Sequence, residues 1–150
     1  MRKFENQLRN SMGTLIGRTS QAILNKLQKR FREEGYAITV EQWQLLINLN
    51  NCDDQLHQQL AENTFKEKST ITRILDGLEI KGLVKRVTGT ADRRQKRIRI
   101  TAKGRALLDN LKPVVLDVQG RALRGLEPEG IRVCQDILLA IYGNVTADQE

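Results

Sequence analysis

Histidine, cysteine, proline and aromatic residues are all scarce in this chain, and each scarcity closes off a class of function. The one histidine among 150 residues, His57, has no Cys, Asp or Glu at ligand spacing. It therefore reads as an exposed polar group or a phosphate contact rather than a metal ligand. The two cysteines, Cys52 and Cys134, are far apart and form no C-x-x-C, so neither a disulfide framework nor a zinc site is expected, only small buried thiols. A glycine-rich phosphate loop, a nucleophile elbow and carboxylates clustered near a base are all missing, so no catalytic residue, metal or cofactor is assigned and an enzyme is not expected. Three Phe, two Tyr and one Trp sit mostly at apolar helix positions, which leaves no stacking platform for single-stranded RNA. No apolar run approaches the ~20 residues that cross a bilayer, and the first residues carry no signal-peptide core, so a cytoplasmic location is expected. With only two prolines and long periodic stretches, the chain reads as predominantly helical, and its length suits one domain that buries about two thirds of its unfolded surface.

What the chain does have is a basic segment at residues 64–105. Residues 66–105 hold 13 Lys and Arg against 4 Asp and Glu, a net of +9 in a chain whose total is +7, so the remainder is slightly acidic. Charge localised in this way is the footprint of a nucleic-acid contact. In its first part Ile71, Ile74, Leu75 and Leu78 fall at i, i+3, i+4 and i+7, which predicts a helix with one buried stripe. Ser69, Thr72, Arg73 and Asp76 repeat that spacing two residues earlier, roughly 200° around the helix, and so form the opposite, outward face. Thr64 and Glu67 suggest a capping box at the start, and Gly82 a left-handed stop at the end. Residues 83–87 and 96–100 then read as two strands of a hairpin. Ile98 and Ile100 point to one face, while Lys96, Arg97 and Arg99 are left mostly for solvent or a partner. Residues 88–95 form the loop between them.

Around this segment the chain reads as helices. Phe4, Leu8, Met12, Leu15, Ile16, Ile23, Leu24, Leu27 and Phe31 mark a first helix over residues 4–31, long enough to suggest a bridge to a second subunit. Thr39 and Gln42 form a capping-box pattern ahead of a core helix with Trp43, Leu45, Leu46, Ile47 and Leu49. Residues 50–54 break it, and Leu56, Leu60 and Ala61 mark a short third helix. Helix, short turn, helix with a polar outward face is the arrangement of a helix-turn-helix. After the hairpin, Thr101 caps a fifth helix in which Pro113 predicts a kink or break near Asn110. Pro128 starts a last helix whose buried side is Ile131, Leu138, Ile141 and Val145, and residues 147–150 read as a frayed tail.

The residues KSTITRILDGLE at 68–79, GLVKR at 82–86, DRR at 92–94 and ITAKG at 100–104 together resemble the MarR family of bacterial transcriptional regulators. The resemblance spans most of the chain. It implies a mainly α fold with a small β-hairpin wing: a winged helix-turn-helix flanked by N- and C-terminal dimerisation helices. On that basis residues 1–150 are a single MarR-like chain, residues 36–101 the DNA-binding lobe, and residues 1–35 plus 102–150 the helical dimerisation region. It implies a homodimer on a palindromic double-stranded DNA operator, acting as a repressor released by a small-molecule effector. Lys68, Ser69, Thr70, Thr72 and Arg73 are carried over as DNA-binding residues of the recognition helix. Asp92, Arg93 and Arg94 are carried over to the wing, Asp92 orienting the loop and Arg94 entering the minor groove, where an arginine at a loop tip meets concentrated negative potential. Trp43 matches a cleft-lining aromatic, with a small aromatic acid as the implied effector, and simple core packing is the competing reading of it. The alternative function is a redox-sensing or ligand-independent winged-helix nucleic-acid-binding protein. A redox sensor needs an accessible cysteine in a cationic setting, and Cys52 instead sits beside Asp53 and Asp54. Leu56 departs from the family pattern, in which many members have a hydroxyl cap at the start of the third helix.

Overall fold

A computed structural model describes residues 10–88 and 96–147, and among them the chain forms six helices and three short strands. Helix α1 (Met12–Glu33) is capped by Ser11, whose Oγ accepts the Thr14 N–H at 3.3 Å, and it ends before Gly35, at φ +79°. Phe4 and Leu8 lie outside the described residues. Helix α2 (Val40–Asn51) has the expected capping box: Thr39 Oγ1 accepts the Gln42 N–H at 3.1 Å, and Gln42 Oε1 accepts the Thr39 N–H at 3.2 Å. Two of the four orphan donors at this helix end are thereby satisfied.

A two-residue strand, β1 (Gln55–Leu56), precedes helix α3 (His57–Thr64) and was not anticipated. Leu56 sits at the cap position of α3 and offers no hydroxyl. Gln59 compensates from within the helix, its Oε1 accepting the Leu56 N–H at 2.8 Å. The helix that follows, α4 (Lys68–Ile80), does not begin with the expected box. Thr64 closes α3 instead, its hydroxyl donating to the Leu60 carbonyl at 2.6 Å, and Glu67 takes the cap position of α4 without a side-chain bond. Phe65 lies between the two helices at φ +52°, a left-handed turn that ends α3 three residues before α4 begins. Gly82 follows α4 at φ +69°, the expected left-handed stop.

The wing strands are β2 (Val84–Thr88) and β3 (Lys96–Ile100), and β3 is the middle of an antiparallel sheet ordered β1-β3-β2. Val84 pairs with Ile100 and Arg86 with Ile98, so Val84, Arg86, Ile98 and Ile100 share the inward face. Ile98 and Ile100 are buried as expected. Thr101 caps helix α5 (Ala102–Ala122), its Oγ1 accepting the Gly104 N–H at 3.0 Å. No break occurs at Pro113: α5 runs through it as one element. Proline leaves the Asp109 carbonyl without its helical donor, and one residue on, the Asn110 carbonyl gains an outside one from the Tyr36 hydroxyl at 3.2 Å. Helix α6 (Pro128–Ala147) starts at Pro128 as expected.

The core gathers side chains from α1 to α5 and the sheet, with Phe31, Leu46, Leu49, Ile71, Leu75 and Leu111 fully buried. Each such side chain contributes about 1.5–3 kcal/mol relative to exposure. The last helix takes no part. None of its residues is buried in the single chain, so Ile131, Leu138, Ile141 and Val145 do not form the internal buried side expected of them.

Candidate nucleic-acid interface

Helix α4 is two-faced in the way its spacing predicts. Ile71, Ile74, Leu75 and Leu78 are at most 1% exposed, while Lys68, Ser69, Thr72, Arg73 and Asp76 are exposed and Thr70 is half-buried. The buried stripe fixes the helix against α2 and α3 and leaves its polar side outermost. Two of the outward side chains are held from neighbouring helices. Arg73 Nη2 lies 3.0 Å from Glu41 Oε2, on the first turn of α2. Thr72 Oγ1 lies 2.9 Å from His57 Nε2, at the first position of α3. Burial, reinforced by the positive charges of Arg86 and Lys68, holds the His57 pKa below its ordinary value.

A third tie joins α4 to the wing. Arg86 on β2 donates to Asp76 at 2.6 Å and also to Glu79, both on the C-terminal half of α4. The hydrogen bond to Asp76, ahead of the charges of the two acids, raises the Arg86 pKa above its ordinary value. Asp76 therefore braces the hairpin while staying exposed on the outward face.

The base of the wing is held by a pair of acids that the sequence reading had weighed only as neighbours of a cysteine. Asp54, at φ +60°, accepts from Arg97 Nε at 2.9 Å and Arg99 Nε at 2.6 Å. Asp53 accepts the Ile100 N–H at 3.0 Å and Arg105 Nη2 at 2.7 Å, tying the start of α5 to the same loop. As expected, Arg97 and Arg99 stay off the buried face, and Asp54 matches both guanidinium groups while leaving each partly exposed. The bond from Arg99, ahead of that from Arg97, lowers the Asp54 pKa despite its partial desolvation. Asp92, Arg93 and Arg94 lie outside the described residues.

This arrangement has close counterparts. Residues 38–96, from just before α2 to the first residue of β3, match the model of the MarR family. The transcriptional regulator PA3341, a solved structure, is 32% identical, with a TM-score of 0.77 over 91% of this chain and 99% of its own. The chain belongs to the MarR family. It is a winged-helix transcriptional regulator by that membership. A MarR-family regulator from Rhodococcus sp. RHA1 is 26% identical, with a TM-score of 0.76 over 87% of this chain and 92% of that one. A mutant MarR from E. coli, solved in complex with operator DNA, shares the fold at 20% identity and a TM-score of 0.79, over 90% and 96% of the two chains.

Within this MarR-family fold Trp43 does two things at once. It packs edge-on against Phe31 at 6.1 Å, and it lines a cavity of about 280 Å³ between α2 and α5 with Ile47, Leu108, Lys112, Val115 and Leu116. Cys52 and Cys134 are both free and both exposed, which reverses the expectation of buried thiols. Cys52 follows the last residue of α2, and Cys134 lies on the uncovered α6. Among the described residues no group of His, Cys, Asp or Glu could hold a metal ion, and no helix is long and apolar enough to cross a membrane.

Of the residues that matter here, sequence reasoning missed Glu41, His57, Asp53 and Asp54 as holders of the reading face and the wing. The signal for the acid pair was legible: Asp53-Asp54 is the densest acid in a stretch that precedes a basic strand. Nothing in the spacing of Glu41 or His57 could have matched them to α4.

Proposed function

We propose that this chain is a homodimeric DNA-binding regulator of a palindromic duplex operator, with α4 in the major groove and the wing at the minor groove. The observation that carries it is the exposed polar face of α4, set rigidly by a fully buried opposite stripe. The E. coli MarR mutant, solved in complex with operator DNA, supports the reading through the shared fold. Lys68, Ser69, Thr70, Thr72 and Arg73 are the proposed contacts on the helix, with Asp92, Arg93 and Arg94 at the wing tip. Residues 36–101 serve as the DNA-binding lobe, and residues 1–35 with 102–150 as the dimerisation region.

The dimer is supported by the apolar surface that one chain leaves uncovered. Leu139 is 68% and Val145 61% exposed on α6, and the groove between α1 and the end of α5, lined by Leu15, Ile23, Val118, Leu123 and Leu126 with Cys134 of α6 at its side, has a volume of about 750 Å³. Covering it with a second copy across a two-fold axis sets two recognition helices roughly 34 Å apart, one turn of DNA. Control follows the family pattern, a repressor released by a small aromatic acid. The cavity beside Trp43 offers such a ligand apolar walls for the ring and Lys112 for the carboxylate, with Asn50 and Asp109 completing its lining.

Selection of bound duplexes from a random-sequence pool, with structured RNA as competitor, tests the reading. A two-fold symmetric duplex that RNA fails to displace is the expected product, and preferential loss to RNA overturns it. Titration of the recovered complex with aromatic acids, followed by Trp43 fluorescence, should quench the tryptophan as the DNA is released.

A further inference from the structure

We propose that Thr72 reads a thymine through its γ-methyl group rather than its hydroxyl, and that His57 is the positioning residue that holds it in that orientation. The inference rests on α4 being the groove-facing helix. A threonine hydroxyl has a single hydrogen to give. Thr72 donates it to the Lys68 carbonyl one turn back, at 3.0 Å. In the 2.9 Å contact with His57 Nε2 the imidazole must then be the donor, which places the ring hydrogen on Nε2.

The hydroxyl is therefore engaged on two sides, drawn back along its own helix and sideways toward α3. Thr72 is nevertheless exposed on the outward face, next to Arg73. The hydroxyl thus has no hydrogen left to give and one of its two lone pairs is filled, which leaves the γ-methyl as the group best suited to a partner. In the major groove only thymine presents a methyl, and threonine's own methyl is one of its apolar partners. A threonine free to rotate could instead offer its hydroxyl to any base edge, a far less selective contact. The bond to the Lys68 carbonyl and the bond from His57 together remove that freedom. The depressed His57 pKa agrees with a neutral ring, although the bond to Thr72 needs only the Nε2 hydrogen and survives protonation.

Replacing thymine by uracil deletes the 5-methyl and nothing else. On a duplex selected by the wild-type protein, each thymine of a half-site is replaced in turn, and one position should lose about fourfold in affinity, the value of one buried methyl-sized group. Thr72→Val keeps the methyl and removes the hydroxyl. It should bind within about twofold of wild type, the range of an uneventful surface substitution, and keep the sensitivity to uracil. Thr72→Ser does the opposite and should bind the thymine duplex about fourfold more weakly, with no further loss on uracil. His57→Ala should shrink the thymine-to-uracil ratio toward one while leaving folding stability and discrimination by Arg73 in place. A merely structural histidine would not move that ratio. Tight, uracil-sensitive binding by Thr72→Ser with loss by Thr72→Val overturns the proposal, as does indifference to uracil at every position. An unchanged ratio in His57→Ala overturns the positioning role. If the wild-type protein selects no duplex at all, the reading of α4 fails, and this inference fails with it.

Discussion

Asp54 carries more of the wing's geometry than any other single side chain, since one carboxylate receives both Arg97 and Arg99. Its folded pKa is lowered, first by the bond from Arg99. A carboxylate depressed in the folded state stabilises the fold at pH above its unfolded value, and that contribution is lost as pH falls through the folded value. The tie should therefore be complete at neutral pH and released only in acid, below the ordinary carboxylate range. An NMR titration of the Arg97 and Arg99 Nε–H signals checks this, with exchange broadening expected below that range and sharp signals down to it. Asp54→Asn should show the released signals already at neutral pH. Gly104 matters for a different reason. A Cβ there would stand 2.4 Å from the Leu83 carbonyl oxygen and 2.8 Å from Ile100 Cγ1, so α5 can meet the root of the wing only without a side chain. Gly104→Ala should cost about 1–3 kcal/mol of stability, the scale of core overpacking, measured by urea unfolding.

At the scale of elements, the last helix is the one most out of place in a single chain. A 20-residue helix with no buried residue does not persist on propensity alone, and its exposed Leu138, Leu139, Tyr142 and Val145 need cover. If a second copy supplies that cover, the wild-type protein should sediment as a dimer at micromolar concentration and Leu139→Glu as a monomer, and a wild-type monomer or an unchanged Leu139→Glu dimer would contradict this. Periodicity made most elements legible: the buried stripe of α4, the inward isoleucines of β3, the caps at Thr39 and Thr101 and the stop at Gly82 all follow from local rules. The rest depended on contacts that local rules do not encode. Thr64 was free to cap the helix ahead or close the one behind, and the left-handed turn at Phe65 decided for the latter. Pro113 predicts a kink or break near Asn110, and the helix runs through it unbroken with Leu111 and Val114 buried on either side. The two-residue β1 is too short to leave a pattern. The outward face of α4 was readable residue by residue, yet its braces were not, because Glu41 and His57 come from helices earlier in the chain.

Across the whole molecule, charge and shape agree. The basic segment is concentrated in α4 and the wing, acids at Asp53, Asp54, Asp76 and Glu79 tie up the arginines that set geometry, and Lys68 and Arg73 stay on the exposed face. Arg73 is 67% exposed even while paired with Glu41. An exposed pair of this kind is worth about 0–1 kcal/mol, so it orients the guanidinium without locking it away from a partner. If the outward face of α4 reads base edges, Arg73→Ala removes its strongest reader. Binding of this variant is compared with wild type by fluorescence anisotropy, on the selected operator and on random duplex of equal length at one salt concentration. A bidentate arginine–guanine pair is worth about 1–3 kcal/mol of discrimination. Arg73→Ala should lose that much in each half-site on the operator, with a much smaller loss on random DNA. Equal losses on the two duplexes would contradict it, since they would reduce Arg73 to a phosphate contact.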